Sequence, residues 1–326
     1  MFHLRITVIV LAIVASGCAH HQKIPREQIL SVYVAESADD TLLTRYAPAF
    51  LTYNHRSVYN RIGTPSASYD EKGRERICVN TTKPAIYYLQ KEFSTARGRY
   101  TNLVYRVHFP KVPFSFIPFH LTAGKNVGVI IIITLDEERR PILVTSVGTC
   151  GCYRAIVPTT YLPRVALPED WKDEPLRFYG ERLPNVLDYS QSKQPQLLVH
   201  VRPGVHRVMD LEVVDGQLWG NAPDQNLIKA DLLPVGRLET IPIDGRFTSF
   251  YHQDGALKGH VKGSVKPWET ILLSLISLDF FVGTDKSYVN SYYYENPFYT
   301  SLKPWNRKDS NMYDFERFLR FWGWKL

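Results

Sequence analysis

Cysteine is scarce in this chain, 4 in 326 residues, too few for a fold held by a disulfide framework. Methionine is scarcer, at 3. No apolar run reaches the roughly 18–20 residues a membrane-crossing helix needs; the stretches 6–15 and 268–282 both fall short. Charge of one sign is nowhere concentrated. The formal charge of +7 comes from 39 Lys and Arg interleaved with 32 Asp and Glu, which lacks the basic footprint of a nucleic-acid surface. Gly-x-Ser-x-Gly, His-Glu-x-x-His, the P-loop and the dinucleotide fingerprint are all missing. Carboxylate clusters such as Asp136-Glu137-Glu138 and Glu169-Asp170 sit in turn-like segments. No catalytic residue is assigned, and a non-enzymatic protein is expected.

Aromatic and β-branched residues are plentiful. Twenty Tyr, 16 Phe and 6 Trp occur with 21 Pro and 19 Gly that break the apolar runs into short pieces, a mix that favours strands and tight turns. The stretch from Val127 to Pro158 is the strongest. Its first arm, VGVIIIITLD, is apolar on both faces; the charged turn Glu137-Glu138-Arg139-Arg140 follows, then a second β-rich arm. Such an arm belongs in the middle of a sheet, so Ile130 to Ile133 should be buried on both sides. Ala85 to Phe93 reads as a strand turning through ARGRY into LVYRVHF. Asp39-Asp40 precedes a capped helical turn. The segment 162–184 is Pro-rich and reads as an irregular surface lid. Trp268 to Val282 is nearly all apolar and is expected to be a buried core helix. Met312 to Trp322 is amphipathic at helical spacing and is expected to dock on the domain. The fold class is therefore α+β and β-dominated: a single antiparallel or mixed sheet, or a sandwich, with a buried helix and an amphipathic C-terminal helix.

The first residues, MFHLRITVIVLAIVASGC, place Arg5 before an apolar core and small residues before Cys18, the layout of a secretory signal. The ending Ala15-Ser16-Gly17-Cys18 resembles the lipobox of bacterial lipoproteins, although Ala15 stands where that pattern more often has Leu, Val or Ile. The resemblance covers these residues only. It implies acylation of Cys18, a signal peptide over 1–17, a lipidated polar tether over 18–28 and a single periplasmic β-rich domain over 29–326. Ala19, where an Asp would retain the protein in the inner membrane, implies the periplasmic face of the outer membrane in a Gram-negative cell. Beyond that covalent lipid no cofactor is expected.

Cys78, Cys150 and Cys152 remain, an odd number in an oxidising compartment. The structural reading pairs Cys78 with Cys150 or Cys152 and leaves one buried thiol. Two residues of extended strand span about 6.6 Å, near the limit for bridged Cα atoms, so a Cys150–Cys152 bridge requires a turn at Gly151. Two alternatives use the same residues: thiol redox chemistry, and a Cu or Zn site on Cys150, Cys152 and Cys78 or a histidine. His200 with His206, and His252 with His260, sit where bends can bring them together. Asp210 and Glu212 share one strand face near His206 and Arg207. The Tyr-rich stretch from Tyr288 to Tyr299 offers stacking surfaces for a glycan or an envelope protein. The sequence thus points to a membrane-anchored binding or structural component of the envelope, with a thiol-redox or metal-handling lipoprotein as the alternative.

Overall fold

The β-branched and aromatic runs fold into strands throughout a computed structural model that describes residues 30–37, 39–221, 227–289 and 296–326. Cys18 and the segment 18–28 lie outside the described residues, as do Tyr292, Tyr293 and Tyr294. Strands β1 (Ser31–Glu36) and β2 (Ala49–Thr52) flank helix α1 (Leu42–Arg45), whose N-cap is Thr41, not the preceding aspartates. Strands β3 (Thr64–Tyr69) and β4 (Glu75–Asn80) form a separate hairpin. An antiparallel meander follows: β5 (Ala85–Thr95), β6 (Gly98–Val112), β7 (Gly124–Leu135), β8 (Pro141–Gly148) and β9 (Ala155–Pro158). A small hairpin of β10 (Leu176–Phe178) and β11 (Glu181–Leu183) gives the expected irregular excursion some regular structure. Strands β12 (Pro195–Val201), β13 (Val208–Asp215) and β14 (Leu227–Pro234) precede a last hairpin, β15 (Ile241–Ile243) with β16 (Arg246–Thr248). Helices α2 (Pro267–Ser277) and α3 (Phe315–Phe321) follow, and short 3-10 turns link several of these elements.

Ten strands form one mixed sheet in the order β13-β12-β2-β1-β14-β5-β6-β7-β8-β9. The pairs β12–β2, β1–β14 and β14–β5 are parallel. The sheet curls far enough for its two halves to share a core: Leu197, Val199 and Phe50 from one half pack with Val107, Ile131 and Val157 from the other. Phe109 of β6 stacks on His206, in the turn after β12, at 4.3 Å between ring centroids.

The meander occupies the place its composition demands. Ile130, Ile131, Ile132 and Ile133 are all fully buried. Because side chains alternate across a strand, Ile131 and Ile133 enter the core inside the curl, while Ile130 and Ile132 enter a second core that α3 covers. The Glu137–Arg140 turn is exposed, and Asp136 closes it by accepting from Arg140 N and Nε at 2.8 Å each. Helix α3 docks as its pattern predicts: Phe315, Phe318 and Leu319 are buried in that second core.

Helix α2 corrects the expectation of a buried helix. Pro267 at its first turn and Glu269 behind it start the helix, and Leu278, in the left-handed region, ends it. Only Glu269, Leu273 and Ser277 are buried. Ile271, Leu275 and Ile276 face outward, followed by exposed Leu278 and Phe280. An apolar run with no polar stripe reads as buried, yet here the chain places one face of it at the surface.

Candidate functional site

The turn after β8 is where the chain's rare cysteines meet. Gly148 N donates to Cys152 O and Gly151 N to Gly148 O, both at 2.8 Å, so the strand reverses at Gly151 with φ +88°. That reversal brings Cys150 and Cys152 to a Cα separation of 5.4 Å and joins them in a disulfide. The partner is therefore not Cys78, which is a free, exposed cysteine on β4. The sequence condition of a turn at Gly151 is met. A side chain at that glycine would run into the carbonyl of Tyr299, so the tight turn and the close approach of the 299 segment need glycine together.

The disulfide lines a cavity of about 170 Å³. Leu121, Leu273, Val282 and Leu302 give it apolar walls, and Tyr299 and Glu269 add polar groups. Glu269 stands over Gly283, φ +80°, which has no side chain to obstruct the carboxyl. Burial pushes the Glu269 carboxyl above the usual carboxylate range, with Lys266 pulling it back only in part. Its Oε2 has no hydrogen-bond partner among the described residues.

A buried charge network stands behind that wall. Lys266 Nζ lies 3.0 Å from Asp285 Oδ2, and both residues are almost wholly buried. Thr149 donates a short hydrogen bond to the other Asp285 oxygen. Lys286 Nζ donates to Cys150 O at 3.2 Å and sits 4.3 Å from the centre of the Tyr299 ring. Burial lowers the Lys286 amine to about 8. Tyr299 donates a short bond to Asp279. Burial raises the Asp279 carboxyl, but the Tyr299 hydroxyl, a backbone N–H and nearby cations outweigh it and hold the group below its ordinary value. The network ties the disulfide turn to the segment after α2 and to the 299 segment. It fixes the cavity's shape more than it offers a reactive group.

The other sequence candidates scatter. His200 accepts or donates with Tyr53 Oη at 2.8 Å and lies 3.4 Å from Glu212; His206 stacks on Phe109 instead of meeting it. His252 and His260 do come together, but through backbone, His252 N donating to His260 O at 2.9 Å. Arg207 turns away from Asp210 to a buried ion pair with Glu181 at 3.1 Å. Tyr288 and Tyr299 are buried, Tyr299 against the cavity. No group of three or more His, Cys, Asp or Glu among the described residues is placed to hold a metal ion. Cys78 does not line the cavity. Lys266, Glu269, Asp285 and Lys286 went unnoticed in the sequence because no spacing rule links them; Asp279, interrupting an apolar run, was their one visible signal.

No known protein family matches the chain, and no curated protein or solved structure is detectably similar to it.

Proposed function

We propose that this is a lipid-anchored binding protein of the cell envelope. Cys18 carries the lipid on the periplasmic face of the outer membrane, and the β-rich domain binds a small, mostly apolar ligand beside Cys150–Cys152. The observation that carries the binding half is the cavity's lining: aliphatic walls with one buried carboxyl whose Oε2 has no hydrogen-bond partner among the described residues. Sites for small apolar molecules combine such walls with one or two polar groups that orient the ligand. An apolar cavity of ~150 Å³ takes benzene, so a single ring or a short alkyl segment matches the size. A ring N–H would donate to Glu269.

Indole serves as the probe, titrated calorimetrically into the full-length protein. Saturable binding lost in Leu273→Trp, which fills the cavity, is the expected outcome; equal binding by both proteins contradicts it. For the anchor, Cys18→Ser is expected to abolish palmitate incorporation and membrane fractionation, and a variant still labelled contradicts that half.

A second reading keeps one specific observation in its favour. The disulfide itself forms part of the cavity wall, with Cys152 half-buried, so a small thiol entering the cavity reaches a sulfur. On that reading an incoming thiolate attacks the bridge, forms a mixed disulfide with one cysteine and releases the other as thiolate.

A further inference from the structure

The loop 113–123 between β6 and β7 carries Phe114, Phe116 and Ile117 outward, Ile117 at 93% exposure. It packs against the start of α2: the Phe114 and Phe119 rings lie 6.0 and 5.8 Å from that of Trp268. From Trp268 the apolar face continues along the helix at i, i+3, i+4 and i+7 through Ile271 and Leu272 to Leu275, 81% exposed. Loop and helix therefore form one continuous apolar platform, and an exposed apolar patch of this kind marks an interaction site.

We infer that the occupant of this platform is the lipid bilayer, with the loop tip and the outer face of α2 set into its interfacial layer. The inference rests on the anchor reading for its geometry. Strand β1 runs parallel to β14 and β14 to β5, while β6 returns antiparallel to β5. The start of β1 and the end of β6 are therefore at the same end of the sheet, so the chain arriving from Cys18 enters the domain at the end that bears the platform. The curl brings the two closer: Thr52, the partner of Ser31, also pairs with Val201, and Gly204, just beyond, lies against His120 of the loop. Twelve residues separate Cys18 from Ser31, a reach of about 40 Å at full extension, so a lipid on Cys18 holds this end close to the membrane.

The surroundings suit an interface. Lys111 and Lys125 are exposed cross-strand partners immediately behind the loop. Beyond α2, Arg307 reaches the carbonyl of Ser277 and so holds the exposed Lys303 and Trp305 beside the helix end. Aromatic and aliphatic side chains backed by lysines and a tryptophan are the composition of an element lying in the headgroup boundary. At eleven residues, or about 16 Å, α2 suits lying in that plane; among the described residues no helix is long and apolar enough to cross a membrane.

The test places a nitroxide at Ile117→Cys, Leu275→Cys or, as a control at the opposite end of β7, Val165→Cys. Each is made in full-length protein carrying Cys78→Ser and mixed with phosphatidylethanolamine/phosphatidylglycerol vesicles. The expected result is a several-fold rise in the ratio of oxygen to nickel-complex accessibility at 117 and 275, with no change at 165. Palmitate on Cys18 is scored separately. Lipidated, vesicle-bound protein whose 117 and 275 labels stay aqueous overturns the platform and leaves the anchor standing. Protein without palmitate whose labels still enter the lipid does the reverse. Labels immobilised in a lipid-free dimer give the platform to a second copy of the chain and also overturn the inference.

Discussion

Replacing Ile131 by Ala is expected to cost about 2–5 kcal/mol of folding stability, and replacing Ile132 by Ala the same order. Two neighbouring residues rarely carry equal penalties in a sheet with one wet face, because only one of them is inside. Here β7 lies between β6 and β8, with Ile131 in the core inside the curl and Ile132 in the core under α3. Both side chains are fully buried, so each truncation removes methylenes from a filled space and leaves a cavity behind. Urea unfolding of the two variants measures this. A large loss for one and none for the other would mean that the sheet has a solvated face at β7, and small losses for both would move the strand to an edge.

Acidification is the second large effect. His108, His206 and His260 are all buried. Burial pushes each imidazole down, His206 and His260 to about 3 and His108 well below its ordinary range, with Arg106 adding to the shift at His108. In the unfolded chain the three titrate near 6.5. Below that pH the unfolded state binds protons the native state refuses, so stability is lost as pH falls. Each histidine contributes about 1.4 kcal/mol per pH unit, so together they give about 4 kcal/mol per unit. Glu269 works in the opposite sense. Burial raises its carboxyl, so the native state keeps a proton the unfolded state releases above about 4.3, which offsets part of the histidine effect. Against a total stability of about 5–15 kcal/mol, unfolding midpoints should drop steeply between pH 6.5 and 4.5. His260→Gln should reduce the slope by about 1.4 kcal/mol per pH unit. A flat profile over that range would mean that the imidazoles are solvated.

The reach of the sequence differs between the sheet and the site. The hairpin around Ile130–Ile133 was legible because β-branched residues on both faces leave a strand few places except a sheet centre. Helix α3 was legible because its aromatic residues fall on one side. Helix α2 misled because hydrophobicity reports the wish to leave water and not the presence of a covering layer; Ile271 and Leu275 look the same in sequence whether protein or lipid lies over them. Gly151 was identified as the condition for a Cys150–Cys152 bridge, but the structure decided between Cys78 and Cys152, since pairing depends on where β4 lies in space. The cavity was hidden for the same reason. Glu269, Gly283 and Tyr299 meet Cys150 only through the path of the chain after α2, and nothing local announces that path.

The choice between ligand binding and thiol chemistry turns on the state of three sulfurs, and a thiol count on native, full-length protein reads that state directly. With Cys150 and Cys152 closed on each other and Cys78 exposed, the expected result without reductant is one fast-reacting thiol per chain, lost in Cys78→Ser, and no bound metal. Two further thiols reacting in native protein, or a stoichiometric metal lost in Cys150→Ser, would contradict the binding account and make Cys150 and Cys152 the working groups.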